Sequence, residues 1–110
     1  MSDSRRRRGR ESELIVARHV RKVWPYAEPT SSGAPGRDLT GTASIAWEVK
    51  ARRGLDLPSW MRQATRNAAD GHIPALAIRQ TGDGPTNVGN WPVVVRMDDF
   101  LWMCAQLERE

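Results

Sequence analysis

The chain has 110 residues, one cysteine and a formal net charge of +4. This length fits one domain with a modest core, and the lone Cys104 excludes an intrachain disulfide framework. With no apolar run of membrane-spanning length and no secretory leader, we expect a cytoplasmic protein without a membrane partner. Residues 1–37 carry nine Arg and Lys against four Asp and Glu, and the remainder carries eight against nine. A basic end on a near-neutral body favours a polyanionic partner.

The most basic stretch lies at the beginning of the chain. No apolar residue follows there to pack it, so we predict a disordered arm over residues 1–8 and a single domain over residues 9–110. Its arginines are candidate phosphate contacts, and a solubilising tail is the alternative. These candidates are Arg5, Arg6, Arg7, Arg8 and the adjoining Arg10.

The first predicted helix covers Glu11–Trp24 and is stopped by Pro25. At about 100° per residue, Glu13 falls within the apolar stripe that contains Val16 and Val20. An inward carboxylate is costly unless it is paired or bound to a metal. Glu13 is therefore a candidate active-site acid, unless it lies at a frayed helix start and meets water.

A short strand over Tyr26–Thr30 is predicted next, followed by a loop over residues 31–36. The hydroxyls of Ser31 and Ser32, and the N–H groups of a glycine-opened backbone, suit contact with a phosphate. An ordinary connection between two strands explains the same loop.

Two strands joined by a tight turn are predicted over Arg37–Gly41 and Ser44–Arg52. In this antiparallel register Asp38 faces Glu48, with Cβ atoms about 5 Å apart. Lys50 points the same way as Glu48, two residues along. Two carboxylates and an ammonium group should therefore converge on one face.

Opposed carboxylates repel across a strand pair, so this face suits a bound cation. Mg²⁺ typically takes one or two carboxylates, several waters and substrate phosphate. Lys50 would then supply a fixed positive charge beside the metal. A hairpin with a solvated polar face and a simple Glu–Lys pair is the alternative.

Four arginines that follow Lys50 in the sequence extend the candidate DNA-binding surface: Arg52, Arg53, Arg62 and Arg66. The rest of the chain predicts a helix from Leu57 to about Asp70, a buried strand over Ile73–Arg79, a loop over 81–90, a strand over Trp91–Met97 buried on both faces, and a helix from an Asp98 cap through Leu107. The resulting order α-β-β-β-α-β-β-α predicts an α/β or α+β domain, with a mixed sheet against helices.

Apolar residues exceed one buried face in the last helix, where Phe100, Leu101, Trp102 and Met103 are consecutive. Ile15 also points away from the apolar stripe of the first helix. Exposed apolar surface of this kind favours a protein partner, and a two-fold homodimer is the commonest oligomer. We therefore predict a homodimer, with a monomer as the alternative.

The order Asp38, then Glu48-Val49-Lys50 on the next strand, resembles the PD-(D/E)XK nuclease superfamily, and within it the small Holliday-junction-resolvase-like endonucleases. Their pattern is a helix with a glutamate, a Ser/Gly-rich loop, a strand aspartate, E-x-K and a further helix. The resemblance covers roughly residues 9–67.

Two positions depart from that pattern. Arg37 stands where a proline often precedes the aspartate, and Asn67 occupies the tyrosine position of a Q-x-x-x-Y motif that begins at Gln63.

The resemblance implies a restriction-endonuclease-like mixed central sheet flanked by helices, and a Mg²⁺ cofactor for which Mn²⁺ substitutes. It implies metal ligation by Asp38 and Glu48, with Glu13 nearby and the backbone carbonyl of Val49 as a further ligand. A serine of the 31–36 loop would act near the scissile strand. The implied catalytic set is Glu13, Asp38, Glu48, Lys50 and Gln63.

The function expected from these features is metal-dependent hydrolysis of DNA phosphodiester bonds, with selectivity for branched DNA such as a Holliday junction. One alternative is a non-catalytic nucleic-acid-binding module in which Asp38, Glu48 and Lys50 form a structural polar cluster. The other is a nuclease that acts on ordinary duplex or flapped DNA.

Overall fold

The computed structural model describes residues 2–31 and 34–109. Its elements follow the predicted order, with one short 3₁₀ helix added before the last strand. They are α1 (Ser2–Val20), β1 (Glu28–Pro29), β2 (Leu39–Thr40), β3 (Ile45–Lys50), α2 (Leu57–Asn67), β4 (Ile73–Ile78), the 3₁₀ helix (Pro85–Asn90), β5 (Val93–Val94) and α3 (Met97–Glu108).

The strands form two small sheets. Strands β1 and β2 make an antiparallel pair, and β3, β4 and β5 make a second sheet in that order. Strand β4 is parallel to β3 and antiparallel to β5, so the second sheet is mixed. Helices with two small sheets confirm the predicted α+β class.

The predicted ladder between β2 and β3 is replaced by a looser contact. The Asp38 N–H donates to the carbonyl of Trp47 at 2.8 Å. The next donor on β3, the Val49 N–H, is taken by the Asp38 carboxylate at 2.8 Å. Because a side chain fills the place of a backbone acceptor, β2 pairs with β1 and the expected single sheet is divided.

Helix α1 begins earlier than the sequence predicts. Residues 2–8, expected to form a disordered arm, are the first two turns of α1. Arginine is a good helix former, so the basic run continues the helix in the N-terminal direction. The helix ends at Val20, whose carbonyl accepts hydrogen bonds from the N–H groups of Val23 and Trp24.

Strand β3 lies at the centre of the fold and is covered on both faces. Trp47 and Val49 join the hydrophobic core with Val16 and Ala17 of α1. The alternate residues of β3 face α2, where Ala64 is buried. This sandwiching explains why the residues from Ala46 to Lys50 are all buried, although only one face of the strand is apolar.

The C-terminal elements differ most from the sequence prediction. Only Val93 and Val94 of the predicted Trp91–Met97 strand are paired. Val93 is 51% exposed, so the expected burial on both faces is wrong. Within the described residues β5 pairs on one side only, which leaves its other side uncovered.

Two further helix boundaries shift. Helix α2 ends at Asn67 rather than near Asp70, because Ala68 is extended. Helix α3 begins at Met97, with Arg96 rather than Asp98 at its N-cap, and none of its described residues is buried. No helix in the described parts of the chain has the length and apolar character to cross a membrane.

Candidate metal centre

Asp38 and Glu48 are brought together by two hydrogen bonds that connect the start of β2 to β3. The segment before β2 binds both neighbours of Glu48: its backbone binds the Trp47 carbonyl and its Asp38 side chain binds the Val49 N–H. Glu48 is 4% exposed. The two carboxylates therefore lie side by side, as the predicted register places them.

Lys50 and two amide side chains of α2 complete the floor of this site. The Lys50 ammonium donates to Gln63 Oε1 at 2.6 Å and lies 3.9 Å from Glu48 Oε2. The side-chain N–H of Asn67 donates to Glu48 Oε1 at 3.2 Å. Gln63 and Asn67 stand one helical turn apart, so α2 fixes the ammonium and one carboxylate at the same time.

Glu13 approaches the two carboxylates from α1. It is half-buried, and the charges of Asp38 and Glu48 both act on it. The structure therefore brings Glu13, Asp38, Glu48, Lys50 and Gln63 to one place, on four different elements or their edges.

Burial dominates the electrostatics of the three acids. Desolvation, followed by the charge of Asp38, raises the pKa of Glu48 to about 7. Desolvation also raises the pKa of Glu13 to about 7, again helped by Asp38 and opposed by Arg10. Burial raises the pKa of Asp38 as well, against the lowering effect of the Val49 N–H. Ionising all three acids here is costly, and a nearby cation would lower that cost.

A cleft of about 380 Å³ gives access to this centre. Its lining combines the acids with cationic side chains from α1 and from the loop after β3. The charged and polar residues around it are Arg5, Arg6, Arg10, Glu13, Asp38, Glu48, Lys50, Arg52 and Gln63. The arginines of the rim attract anions. The acids at the centre, when ionised, repel an anion unless a cation lies between them.

The donor set suits Mg²⁺ rather than a metal enclosed by protein ligands. Among residues 2–31 and 34–109, no group of three or more His, Cys, Asp or Glu side chains is arranged to hold a metal. Two adjacent carboxylates at a cleft nevertheless match the usual Mg²⁺ pattern, in which waters and substrate phosphate supply the other ligands. The N–H and the carbonyl of a strand residue point to the same edge of the strand. The Val49 N–H binds Asp38, so the Val49 carbonyl also points toward the Asp38 side of β3.

The remaining predicted DNA contacts are distributed unevenly. Ser31 is exposed beside the loop before β2, and Ser32 lies outside the described residues. Arg62 and Arg66 are exposed on α2 but do not line the central cleft. The other predicted arginines line clefts on one or both sides of α1: Arg5, Arg6, Arg7, Arg8, Arg10, Arg52 and Arg53.

Sequence reasoning missed two features of the site. Asn67 emerges as a partner of Glu48, and its spacing of four residues from Gln63 was the available signal. Arg79 is buried and donates to Glu11 at 2.9 Å and to Ser12 at 3.1 Å, which ties α1 to the end of β4. A contact across 67 residues leaves no local pattern in the sequence.

Comparison with known proteins adds no relative. The chain matches no protein-family model, no curated protein and no solved structure.

Proposed function

We propose that this protein is a Mg²⁺-dependent endodeoxyribonuclease that hydrolyses phosphodiester bonds, with branched DNA as its substrate. The observation that carries the proposal is the placement of Asp38, Glu48 and Lys50 around one cleft whose rim is rich in arginine. Paired carboxylates with a fixed ammonium are the groups that metal-assisted phosphodiester hydrolysis needs.

Each residue has a distinct part in this reaction. Asp38 and Glu48, together with the Val49 carbonyl, would hold Mg²⁺, and Mn²⁺ would substitute for it. The metal supplies Lewis-acid polarisation of the phosphate and a lowered pKa for the attacking water. Lys50, oriented by its 2.6 Å hydrogen bond to Gln63, stabilises negative charge as it develops on the phosphate.

Glu13 occupies a different position from the two ligands. It comes from a separate helix, and in the absence of a cation burial raises its pKa to about 7. A bound cation would lower this pKa and favour the carboxylate, the form that accepts a proton. We assign it to the outer shell of the metal, where it can accept a proton from the attacking water.

A homodimer is part of the proposal. A four-way junction is resolved by two symmetric cuts, and one chain supplies one centre. Helix α3 offers an interface, because Phe100 and Leu101 are each 53% exposed and Leu107 is 73% exposed. With Met97 and Cys104 they recur at the spacing of a single helical stripe, which a second copy of α3 would cover.

We also propose an intracellular location, where such DNA is found.

Ile15 is not part of that interface. The sequence predicts that it points away from the core, yet it packs partly buried against the core cluster. It also lines a cleft with Pro85 and Val88 of the 3₁₀ helix, which covers the side of α1 that the sequence leaves open.

The deciding experiment compares a four-way DNA junction with a linear duplex of matched sequence, each with Mg²⁺ and with EDTA. We expect nicking of the junction that requires Mg²⁺ and is lost in Glu48→Gln. Equal cleavage of both DNAs would support a general duplex nuclease. Binding without cleavage under Mg²⁺ or Mn²⁺ would support the non-catalytic module.

A further inference from the structure

A second cleft opens directly beside the candidate metal centre. It measures about 610 Å³, and its walls are the first turns of α1 and the loop that follows β3. Arg5 and Arg8 project from α1, and Arg52 and Arg53 from the loop. Arg5 and Arg52 also line the cleft of the metal centre, so the two clefts lie next to each other and share these two side chains.

The charge of this second cleft is one-sided. Its lining includes four arginines, and no acidic residue among those the structure describes there. The cleft on the opposite side of α1 is different, because Arg7 and Arg10 are accompanied there by Glu11 and Glu13. A polyanion that leaves the metal centre therefore meets an excess of positive charge on this side. Asp83, next to Gly82 in the cleft wall, offsets part of the charge of Arg8.

Both walls of the second cleft are connected by hydrogen bonds to Arg79, which directly follows β4. The Arg79 N–H donates to the carbonyl of Lys50 at 2.8 Å, next to the loop that carries Arg52. The Arg79 guanidinium donates to Ser12 at 3.1 Å, and Ser12 Oγ donates to the carbonyl of Arg8 at 2.6 Å. The backbone of the α1 wall is thus anchored through a buried arginine, which makes the cleft a built feature.

Gly9 lies in the wall of the metal-centre cleft, between the arginines of α1 that line the two clefts. It lies in the interior of α1, where glycine is less favourable than alanine by about 1 kcal/mol, and it lines the cleft of the metal centre. A Cβ added there would meet no atom within 4 Å. Packing of the protein on itself therefore does not require a glycine at this position, and because Gly9 lines the cleft, a large side chain here would take space from a molecule bound in it.

From these observations we propose that the two clefts form one track for the sugar–phosphate backbone of a single nucleic-acid strand. The scissile phosphate lies at the carboxylates, and the phosphates on one side of it bind Arg5, Arg8, Arg52 and Arg53. The inference rests on the proposed function for the position of the scissile phosphate. It adds that binding extends mainly to one side of the cut.

The first test measures binding of a labelled single-stranded oligonucleotide in EDTA over a range of salt concentrations. The double variant Arg8→Gln/Arg53→Gln should bind more weakly, with a log K against log salt slope shallower by about 1.4. Arg18→Gln, an exposed arginine further along the same helix, is the matched control and should leave the slope unchanged. Equal slopes for the double variant and the wild type would overturn the track.

A second variant separates binding from folding. Gly9→Leu should raise or preserve the melting temperature, since it improves helix propensity, while it lowers oligonucleotide affinity by at least tenfold because the side chain fills the track. Unchanged affinity in a folded Gly9→Leu protein would overturn the proposal. A purely structural glycine would give the opposite result, with loss of stability and no specific loss of affinity.

The direction of the track is tested by placing single neutral methylphosphonate linkages along a cleaved strand. Sensitive positions should form a run on one side of the cut, and Arg8→Gln/Arg53→Gln should remove that sensitivity. Sensitivity spread evenly over both sides would overturn the track while leaving the nuclease intact. If no DNA is cleaved but the double variant still shows the shallower salt slope, the track stands and the nuclease proposal fails.

Discussion

The candidate metal centre and helix α3 both depart from the usual distribution, in which charged side chains are exposed and large apolar ones are buried. At the centre, charged residues are buried: Glu48 is 4% exposed and Lys50 is 9% exposed. On α3, large apolar residues face solvent, with Leu101 at 53% and Leu107 at 73%. Folded proteins generally do neither without a reason.

The contrast separates two kinds of partner. The buried charges are held in place by a hydrogen bond from Lys50 to Gln63 and one from Asn67 to Glu48, as groups that must act on a small charged ligand are. The stripe on α3 has no comparable hydrogen bonds, and it exposes apolar surface instead. We therefore propose a chemical role for the first region and association with another copy of the chain for the second.

The largest expected effect is on cleavage. Glu48→Gln and Asp38→Asn should each reduce the cleavage rate by at least about a hundredfold, because each removes a charge that would hold the proposed metal. Binding of DNA should persist, and in EDTA both variants should be at least as thermostable as the wild type, since mutual repulsion is relieved. Glu28→Gln, the same change at an exposed position of β1, serves as control. Wild-type rates in either site variant would refute the metal-site assignment.

Disruption of the α3 stripe should have the next largest effect. Sedimentation of the wild type should give twice the chain mass at micromolar concentration, whereas Phe100→Asp/Leu101→Asp should give the monomer mass. Arg109→Asp, just beyond the end of α3, should leave the dimer intact. A wild type that is monomeric at these concentrations and still makes paired cuts would refute the proposed dimer.

A smaller effect is expected from the residue that orients Lys50. Gln63→Ala removes the acceptor at 2.6 Å from the ammonium, so we expect about a tenfold lower kcat with little change in KM. Gln63→Glu keeps an acceptor and should retain more activity than Gln63→Ala. Equal activity of the alanine variant and the wild type would show that Lys50 needs no such support.

The smallest effect is on the pH dependence of stability without metal. Glu13 and Glu48 have a native pKa of about 7, against about 4.3 for an unfolded glutamate. Between these values the native state holds more protons than the unfolded chain, so the free energy of unfolding should fall as the pH rises from about 4.5 to 7.

Thermal melting in EDTA across this range checks that slope. The melting temperature of the wild type should drop clearly over this range and that of Glu48→Gln should drop less. Addition of Mg²⁺ at pH 8 should restore the melting temperature of the wild type. A melting temperature that rises over the same range would show that the acids are stabilised in their charged form by the protein itself.

The short-range features of this fold were predictable because they depend on local chemistry. Alternation along Ile45–Lys50 predicts strand β3, and the spacing of Asp38 and Glu48 predicts their meeting. Pro58 marks the first turn of α2, which begins at Leu57. These signals act within about a dozen residues, where the sequence pattern and the structure are closely linked.

The missed features depend on contacts between distant segments. Burial of Arg79 against α1 involves residues 67 positions apart, and division of the sheet follows from a side chain that competes with a backbone acceptor at Val49. The edge position of β5 follows from strand order. A continuous apolar run such as Val93 to Val95 is the same in a central and in an edge strand, so the sequence could not distinguish them.

The most direct test of the account is metal-dependent cleavage by a fixed centre. Wild type and Glu48→Gln are incubated with a four-way junction in Mg²⁺ and in EDTA, and the products are resolved under denaturing conditions. We expect nicked strands only for the wild type in Mg²⁺, with both proteins binding the junction. Binding by both proteins with no nicks in Mg²⁺ or Mn²⁺, or equal nicking by both, would contradict it.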